Sequence, residues 1–200
     1  MQAILKRIDS YSNLLAPLAA KAKQYLKYPS SLGADGVIQI GHRPWVAELN
    51  YMLTLYPGIG AQSVEGYCKR FRIEVPGVYV DFLREVNGAF CFGMSLCGIP
   101  QSMLQDPPLL DRSILQCHDL GTAATQWIRE YKVPSKLFHF GGRHYSFTEN
   151  VGYFITEGGR FQCYRKNGKV VAEWANVCDF LADELEASEK LEEELNPSKW

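Results

Sequence analysis

The sequence predicts an α+β fold, with helices first, a central antiparallel sheet of hairpins arranged as a meander, and one closing C-terminal helix. Three observations predict it. Apolar residues recur at helical spacing near both ends of the chain, short segments rich in aromatic and β-branched residues follow one another between residues 136 and 175, and turn-forming pairs separate those segments. With 200 residues, of which 46% are hydrophobic and 22% charged, the chain can bury a substantial core.

The first 55 residues are predicted to be an N-terminal helical extension that forms one compact unit with the rest. Residues 1–28 carry a helical stripe that Pro17 divides, because its ring kinks or restarts a helix. The apolar members of this stripe are Ile4, Ile8, Leu15, Leu18, Ala22 and Leu26. A turn-rich segment, 28–36, precedes the strand-like VIQI at 37–40. Pro44 then opens a second amphipathic run with the spacing of a helix. Its apolar members are Trp45, Leu49, Met52 and Tyr56.

The middle of the chain is predicted to contain two consecutive helices and a strand. The first helix is capped by Ser63 and stops before Pro76, because a proline disfavours helical geometry in the residue before it. The second begins at Pro76 and ends at Asn87-Gly88, where the glycine is predicted to form a left-handed C-terminal cap. Its apolar face consists of Tyr79, Phe82, Leu83 and Val86. The segment MSLCGI, 94–99, follows as a strand.

The remainder is predicted to contain a helix, five short strands and the closing helix. The first of these helices spans 119–132, and its apolar residues are Ala123, Trp127, Ile128 and Tyr131. The strands are KLFHFG, HYSFT, VGYFITE, RFQCYRK and KVVAEWA, and the turns predicted between them are Gly141-Gly142, Glu149-Asn150, Gly158-Gly159 and Asn167-Gly168. The last pair predicts a type I′ hairpin turn. Asn176 caps the closing helix, whose inward residues are Val177, Phe180, Leu181 and Leu185.

The order of these parts resembles the SUKH superfamily, also called the Smi1/Knr4 family. The resemblance rests on VPGVYVDFLREVNGAFCFG followed by LCGIP, then a helix, then HFGGRHYSFTENVGYFIT, a meander and a DFLADEL helix. The residues that match the family motif are Pro76, Tyr79, Phe82, Leu83, Asn87, Gly88 and Gly98. The resemblance implies a SUKH-like α+β domain over residues 56–200. It also implies a bacterial immunity protein that neutralises a toxin, such as a nuclease effector, by binding it.

No catalytic centre, cofactor or metal site is predicted. His139 and His144 flank a glycine pair, but the further ligands that zinc needs are undefined. Four of the six cysteines lie inside apolar patterns typical of buried, inert thiols, and the chain has no export signal. These four are Cys91, Cys97, Cys163 and Cys178. Free thiols in a reducing cytoplasm are therefore expected.

The acidic C-terminal segment is the candidate partner-binding site. Eight acidic residues lie between Asp179 and Glu194, with Lys190 as the one basic residue among them. A solvated helix face explains such a run, and so does a surface that mimics a phosphate backbone for a basic toxin. The carboxylates predicted to share the outer face are Asp179, Asp183, Glu186, Glu189 and Glu193.

A non-catalytic protein-binding module is thus the first hypothesis for function. Its expected partner is a protein, namely a toxin domain. The net charge of −1 does not suggest nucleic acid, and no apolar run suggests a membrane. The alternative is a regulatory or scaffold protein of the Smi1/Knr4 type that uses the same fold to hold an endogenous partner, with the helices of residues 1–55 as an extra docking surface. A third hypothesis, a small-molecule enzyme, needs Trp127, Tyr145 and Tyr153 to line a pocket.

Overall fold

A computed structural model describes residues 1–48, 50–104, 115–146 and 148–195. Nine strands within these ranges form one sheet in chain order, and every neighbouring pair is antiparallel. The strands are β1 (Ser30–Leu32), β2 (Ile38–His42), β3 (Tyr51–Pro57), β4 (Val86–Cys91), β5 (Met94–Leu96), β6 (Phe138–His144), β7 (Asn150–Ile155), β8 (Phe161–Arg165) and β9 (Val170–Trp174). The predicted α+β class and its antiparallel meander are confirmed.

The α-helices of the described residues lie before, between and after the strands. They are α1 (Gln2–Asp9), α2 (Ala16–Tyr25), α3 (Ala61–Phe71), α4 (Gly77–Glu85), α5 (Leu120–Thr125) and α6 (Val177–Leu195). Short 3-10 turns occupy Asn13–Leu15, Gln101–Met103 and Trp127–Glu130.

Strand register divides the side chains between two faces of the sheet. One face carries buried residues such as Leu53, Cys91 and Val151, and α2 and α6 pack against it. The other, which we call the open face, carries a row of half-buried residues that face one another across successive strands. This row is Gln39, Thr54, Phe90, Ser95 and Gly142. Beyond it, α5 and the turn after it cover part of the open face.

The N-terminal region is only partly helical. The predicted helix pair is confirmed as α1 and α2, with Pro17 in the first turn of α2. The helix predicted from Pro44 is wrong, because residues 51–57 form β3, whose backbone groups pair with both β2 and β4. Trp45 is 52% exposed in the preceding loop, and Leu49 lies outside the described residues. The predicted boundary at residue 55 falls inside β3, so residues 1–55 supply three strands to the sheet.

The two middle helices are confirmed, with different ends from those predicted. The helix α3 starts after Gly60, so Ser63 lies inside it, and it ends at Arg72 in the left-handed conformation, with φ 53°. The helix α4 ends at Glu85 and runs directly into β4. Gly88 is therefore not a helix cap.

Gly88 has the positive φ that was expected of it, 89°, but inside β4. A Cβ on Gly88 would lie 2.8 Å from the Leu96 carbonyl oxygen and 2.9 Å from the Cys117 Cβ. Close approach of neighbouring segments therefore requires glycine here.

Two predicted turns are wrong or different in type. Gly141 and Gly142 lie inside β6, paired with β5 on one side and β7 on the other, and the predicted strand HYSFT is not formed, since β6 ends at His144. Phe147, in that segment, lies outside the described residues. Gly168 has a φ of 85° and Asn167 does not have a positive φ, so this hairpin uses a type I turn with a left-handed glycine rather than type I′.

The closing elements follow the prediction more closely. The 119–132 helix divides into α5 and a 3-10 turn, because Gln126 leaves helical geometry with φ −109° and ψ −60°. Asn176 accepts a hydrogen bond from the Asp179 N–H at 2.9 Å, which confirms it as the cap of α6. The four predicted inward residues of α6, Val177, Phe180, Leu181 and Leu185, are all buried.

Candidate functional site

The residues on which the family resemblance rests have structural roles. The Tyr79 hydroxyl donates to the Cys97 carbonyl at 2.6 Å, and the Asn87 amide both donates to and accepts from the Ile99 backbone at 2.7 Å. A Cβ on Gly98 would lie 2.2 Å from the Asn87 carbonyl oxygen, so the backbones of these segments touch. Pro76 immediately precedes α4, and Phe82, Leu83 and Gly88 are buried. These residues therefore join α4, β4 and β5.

Several carboxylates of α6 are bound to cations of the same chain. Glu184 is buried and pairs with Arg143, at 2.5 Å to Nε and 3.3 Å to Nη2, while the Tyr153 hydroxyl donates to it at 2.5 Å. Burial lowers the pKa of Arg143, but the hydrogen bond and charge of Glu184, together with the neighbouring Tyr153 and Cys163, outweigh burial and raise that pKa overall. Glu192 pairs with Arg43 at 2.5 Å. These contacts attach α6 to the sheet and to the loop after β2.

The five predicted partner-binding carboxylates do not form one free surface. Glu189 turns toward α2, where Lys21 lies 2.6 Å away and the Tyr25 hydroxyl donates to it. Asp183 accepts a hydrogen bond from Trp174 Nε1 at 2.8 Å, and Asp179 from the Asn176 amide at 2.8 Å. Glu186 and Glu193 are exposed. The outer stripe of α6 thus consists of Asp179, Asp183, Glu186 and Glu193.

A concave site that the sequence did not predict lies on the open face. We call it the aromatic cleft; it has a volume of about 290 Å³ and lies between β4–β7 and the α5 segment. Its wall is a chain of rings: Phe90 meets His118 edge-on at 4.8 Å between centroids, and His118 meets Trp127 edge-on at 5.6 Å. Trp127 is 36% exposed. Ring faces and edges are therefore accessible from solvent.

His118 is fixed by its neighbours on both sides. Its Nδ1 lies 2.8 Å from the Ser95 Oγ, and its carbonyl accepts a hydrogen bond from the Gly98 N–H at 2.8 Å. The next residue, Asp119, caps α5 by accepting from the Thr122 N–H at 2.8 Å and also accepts from the Tyr67 hydroxyl at 2.5 Å. Partial burial lowers the pKa of His118 and so favours the neutral form of its ring.

The floor of the cleft is bare backbone. Gly142 lies between Ser95 and Gly152 in the register of the sheet. A Cβ on Gly142 would be 2.4 Å from the Val151 carbonyl oxygen, and one on Gly152 would be 2.7 Å from the Tyr131 ring. Glycine is therefore required at both positions, and the space above Gly142 remains open.

A second histidine, His139, connects α5 to the sheet. His139 is buried, with Nδ1 at 3.0 Å from the Ala123 carbonyl of α5 and Nε2 at 2.8 Å from the Gly141 carbonyl of β6. Its ring also stacks on Phe154 at 4.7 Å. Burial lowers the pKa of His139, although both backbone contacts act in the opposite direction. This residue holds α5 at the distance that forms the cleft.

The charged side chains that line the cleft are paired. Glu130 and Lys166 form an ion pair at 2.6 Å at its rim, and Arg143 is held by Glu184 on the other face. Among the described residues, no carboxylate hydrogen-bonds His118, whose ring contacts the Ser95 hydroxyl. The arrangement is suited to contact with a ligand surface.

The other candidate residues lie outside the cleft or play structural roles. Of the three aromatic residues considered for a pocket, Trp127 lines the cleft, Tyr153 is fully buried on the other face, and Tyr145 packs against Arg143 and Arg165. All six cysteines are free thiols; burial raises the pKa of Cys91, Cys97 and Cys163, and raises that of Cys117 to about 12. Within the described ranges, no group of three or more His, Cys, Asp or Glu is placed to hold a metal ion.

Searches against protein-family models, curated proteins and solved structures gave no match to this chain. In the part of the chain that the structure describes, none of the helices has the length and apolar character needed to span a membrane.

Little in the sequence predicts the cleft. Phe90 and Ser95 alternate with core residues along β4 and β5, as residues on a second face must. That signal could identify a second face, but not which segment would cover it. His118 and Trp127 belong to a stretch that the sequence predicted only as irregular chain and one amphipathic helix.

Proposed function

We propose that this protein is a non-catalytic binding module of the immunity type, which neutralises a toxin domain by binding it directly in the cytoplasm. The observation that carries the proposal is the aromatic cleft at the end of the uncharged row on the open face. Protein interfaces are enriched in aromatic residues and depleted of charge at their centre, with a polar surround. The resemblance to the SUKH superfamily supplies the kind of partner.

The scaffold alternative uses the same fold to hold an endogenous partner, with residues 1–55 as an extra docking surface. Those residues contribute β1, β2 and most of β3, and α2 supplies the Lys21 and Tyr25 contacts to Glu189. Much of this segment therefore makes contacts within the folded unit, which leaves less of it for an extra docking surface. The immunity function is therefore the better supported proposal.

Co-expression with the toxin-like product of the adjacent reading frame tests this proposal. We expect growth of the host cells to be restored and a complex to co-elute in size-exclusion chromatography. An unrelated cytotoxic nuclease serves as the control and should stay toxic, since immunity surfaces match particular toxins. Persistent toxicity together with the absence of a complex would contradict the proposal for that partner.

A further inference from the structure

We propose that the aromatic cleft is an anchor pocket for a single aromatic side chain of the protein partner. This inference rests on the proposed function and identifies the surface that performs it. It places partner recognition on the open face of the sheet. The sequence had instead predicted recognition by the carboxylates of α6. Four properties of the cleft lead to this assignment.

The first property is size. The volume of about 290 Å³ is at the lower limit of pockets that hold small-molecule ligands. It suits one ring rather than an extended ligand. Gly142 lines this space, and the carbonyl oxygen of Val151, 2.4 Å from the place of a Cβ, requires glycine at that position.

The second property is the orientation of the rings. Phe90, His118 and Trp127 meet at interplanar angles of 84° and 86°. Aromatic rings prefer such edge-to-face contacts, in which a positive ring edge meets a negative face. A further ring placed above Gly142 would continue this pattern against the exposed part of Trp127.

The third property is charge. Glu130 is neutralised by Lys166, and Arg143 by Glu184 on the opposite face. The charges on these side chains are thus already compensated within the chain, and a neutral ring needs no counterion from the cleft. Charge matching thus favours Phe, Tyr or Trp over Arg, Lys or a carboxylate.

The fourth property is the surface around the cleft. Gln39, Thr54, Phe90 and Ser95 lie side by side on β2 to β5 and lead to Gly142 without a charged residue among them. Every member of this row is half-buried. Interface hot spots occur in pockets that are surrounded by energetically near-neutral contacts, and an uncharged polar row can supply such contacts.

Single-residue probes test the pocket without knowledge of the partner. We would titrate the ¹⁵N-labelled protein with N-acetyl-tyrosinamide, N-acetyl-phenylalaninamide, N-acetyl-leucinamide, N-acetyl-argininamide and adenosine monophosphate. We expect the two aromatic amides to shift the amide signals of Ser95 and Gly142 and the indole signal of Trp127. Saturation is expected in the millimolar range, as for any fragment of this size. Preference for leucinamide, argininamide or the nucleotide, or absence of any shift, would overturn the inference.

Matched variants locate the binding. Trp127→Ala removes one ring from the wall of the cleft. It should lower the affinity for the aromatic amides about fivefold or more, which corresponds to the free energy of one aromatic ring pair. Trp45→Ala, which removes another exposed tryptophan far from the cleft in sequence, should leave their affinity unchanged. Ser95→Phe fills the cleft and should abolish binding, whereas Ser95→Ala loses only the hydroxyl and should retain it. Equal affinities for Trp127→Ala and Trp45→Ala would refute the assignment.

Binding measurements with a toxin distinguish a failure of this inference from a failure of the proposed function. With a toxin that the wild-type protein neutralises, Ser95→Phe and Trp127→Ala should lower affinity at least about tenfold, as expected at a hot spot, and Trp45→Ala should not. Undiminished binding by both cleft variants would overturn the anchor pocket while leaving the immunity function intact. If the wild-type protein binds no toxin, the proposed function fails, and the probe titration still decides whether the cleft accepts an aromatic ring.

Discussion

Replacing Glu184 by glutamine should remove a large part of the stability of this protein. The Arg143 and Glu184 side chains retain only 8% and 4% of their exposure, and two contacts, of 2.5 and 3.3 Å, join them. Glutamine keeps the shape but leaves the guanidinium charge without a counterion. Breaking a buried pair in this way costs about 3–5 kcal/mol. Since a domain is stable by about 5–15 kcal/mol, Glu184→Gln should approach unfolding at room temperature.

Urea denaturation followed by tryptophan fluorescence measures this loss. Glu186→Gln on the exposed side of α6 is the matched control and should change the free energy of unfolding by no more than about 0.5 kcal/mol. The triple variant Arg143→Met, Tyr153→Phe, Glu184→Leu removes every polar member together and should fall within about 2 kcal/mol of the wild type. A loss below about 1 kcal/mol for Glu184→Gln would refute the reasoning, because it would mean that Arg143 remains solvated.

Three further predictions follow from other parts of the structure. Burial lowers the pKa of His139, so the unfolded chain binds the His139 proton more tightly than the folded chain does, and the free energy of unfolding should fall as the pH drops below about 6.5. In His139→Asn, the free energy of unfolding should depend less steeply on pH between pH 7 and 5. Equal slopes for the variant and the wild type would contradict this. Gly98→Ala should destabilise the fold by more than about 2 kcal/mol, because its Cβ would meet the Asn87 backbone. Gly66→Ala in α3, where nothing lies within 4 Å of the place of a Cβ, should stabilise the fold by up to about 1 kcal/mol. Thermal melts that rank the two variants in the opposite order would refute this. If the outer stripe of α6 steers a basic toxin, Glu186→Lys with Glu193→Lys should slow association at low salt but not at high salt, without a change in melting temperature; equal on-rates at low salt would exclude steering.

The sequence predicted correctly those helices whose buried face follows from a regular spacing of apolar residues. The inward face of α6 was correct because Phe180 packs on Tyr153 and Phe161 of the sheet and Leu181 beside it is buried, as their spacing predicted. Pro17 correctly marked a helix start, since its ring is tolerated in a first turn. Both predictions depended on residues within a few positions of one another.

Predictions failed where distant segments decide the backbone. Residues 51–57 have helical spacing, but β2 and β4 hydrogen-bond to both of their edges, and this pairing overrides a weak local preference. Gly141 and Gly142 read as a turn because glycine pairs favour turns. They lie in a strand because a Cβ on Gly141 would come 2.3 Å from the Ser95 carbonyl oxygen, a contact that only the folded sheet reveals. The cleft escaped prediction for the same reason, as β4, β5 and the segment from His118 to Trp127 meet only after folding.

The acidic residues of α6 show how a charged run can mislead about function. Glu184, Glu189 and Glu192 neutralise Arg143, Lys21 and Arg43, which come from three separate parts of the chain. A paired charge has little field beyond the screening length of about 8 Å at physiological salt, so these carboxylates cannot attract a distant partner. The exposed outer stripe can do so, and α6 covers the face of the sheet opposite the aromatic cleft. A compact partner seated on the open face would therefore leave the stripe in solvent, and variants of the two surfaces should affect binding independently of one another.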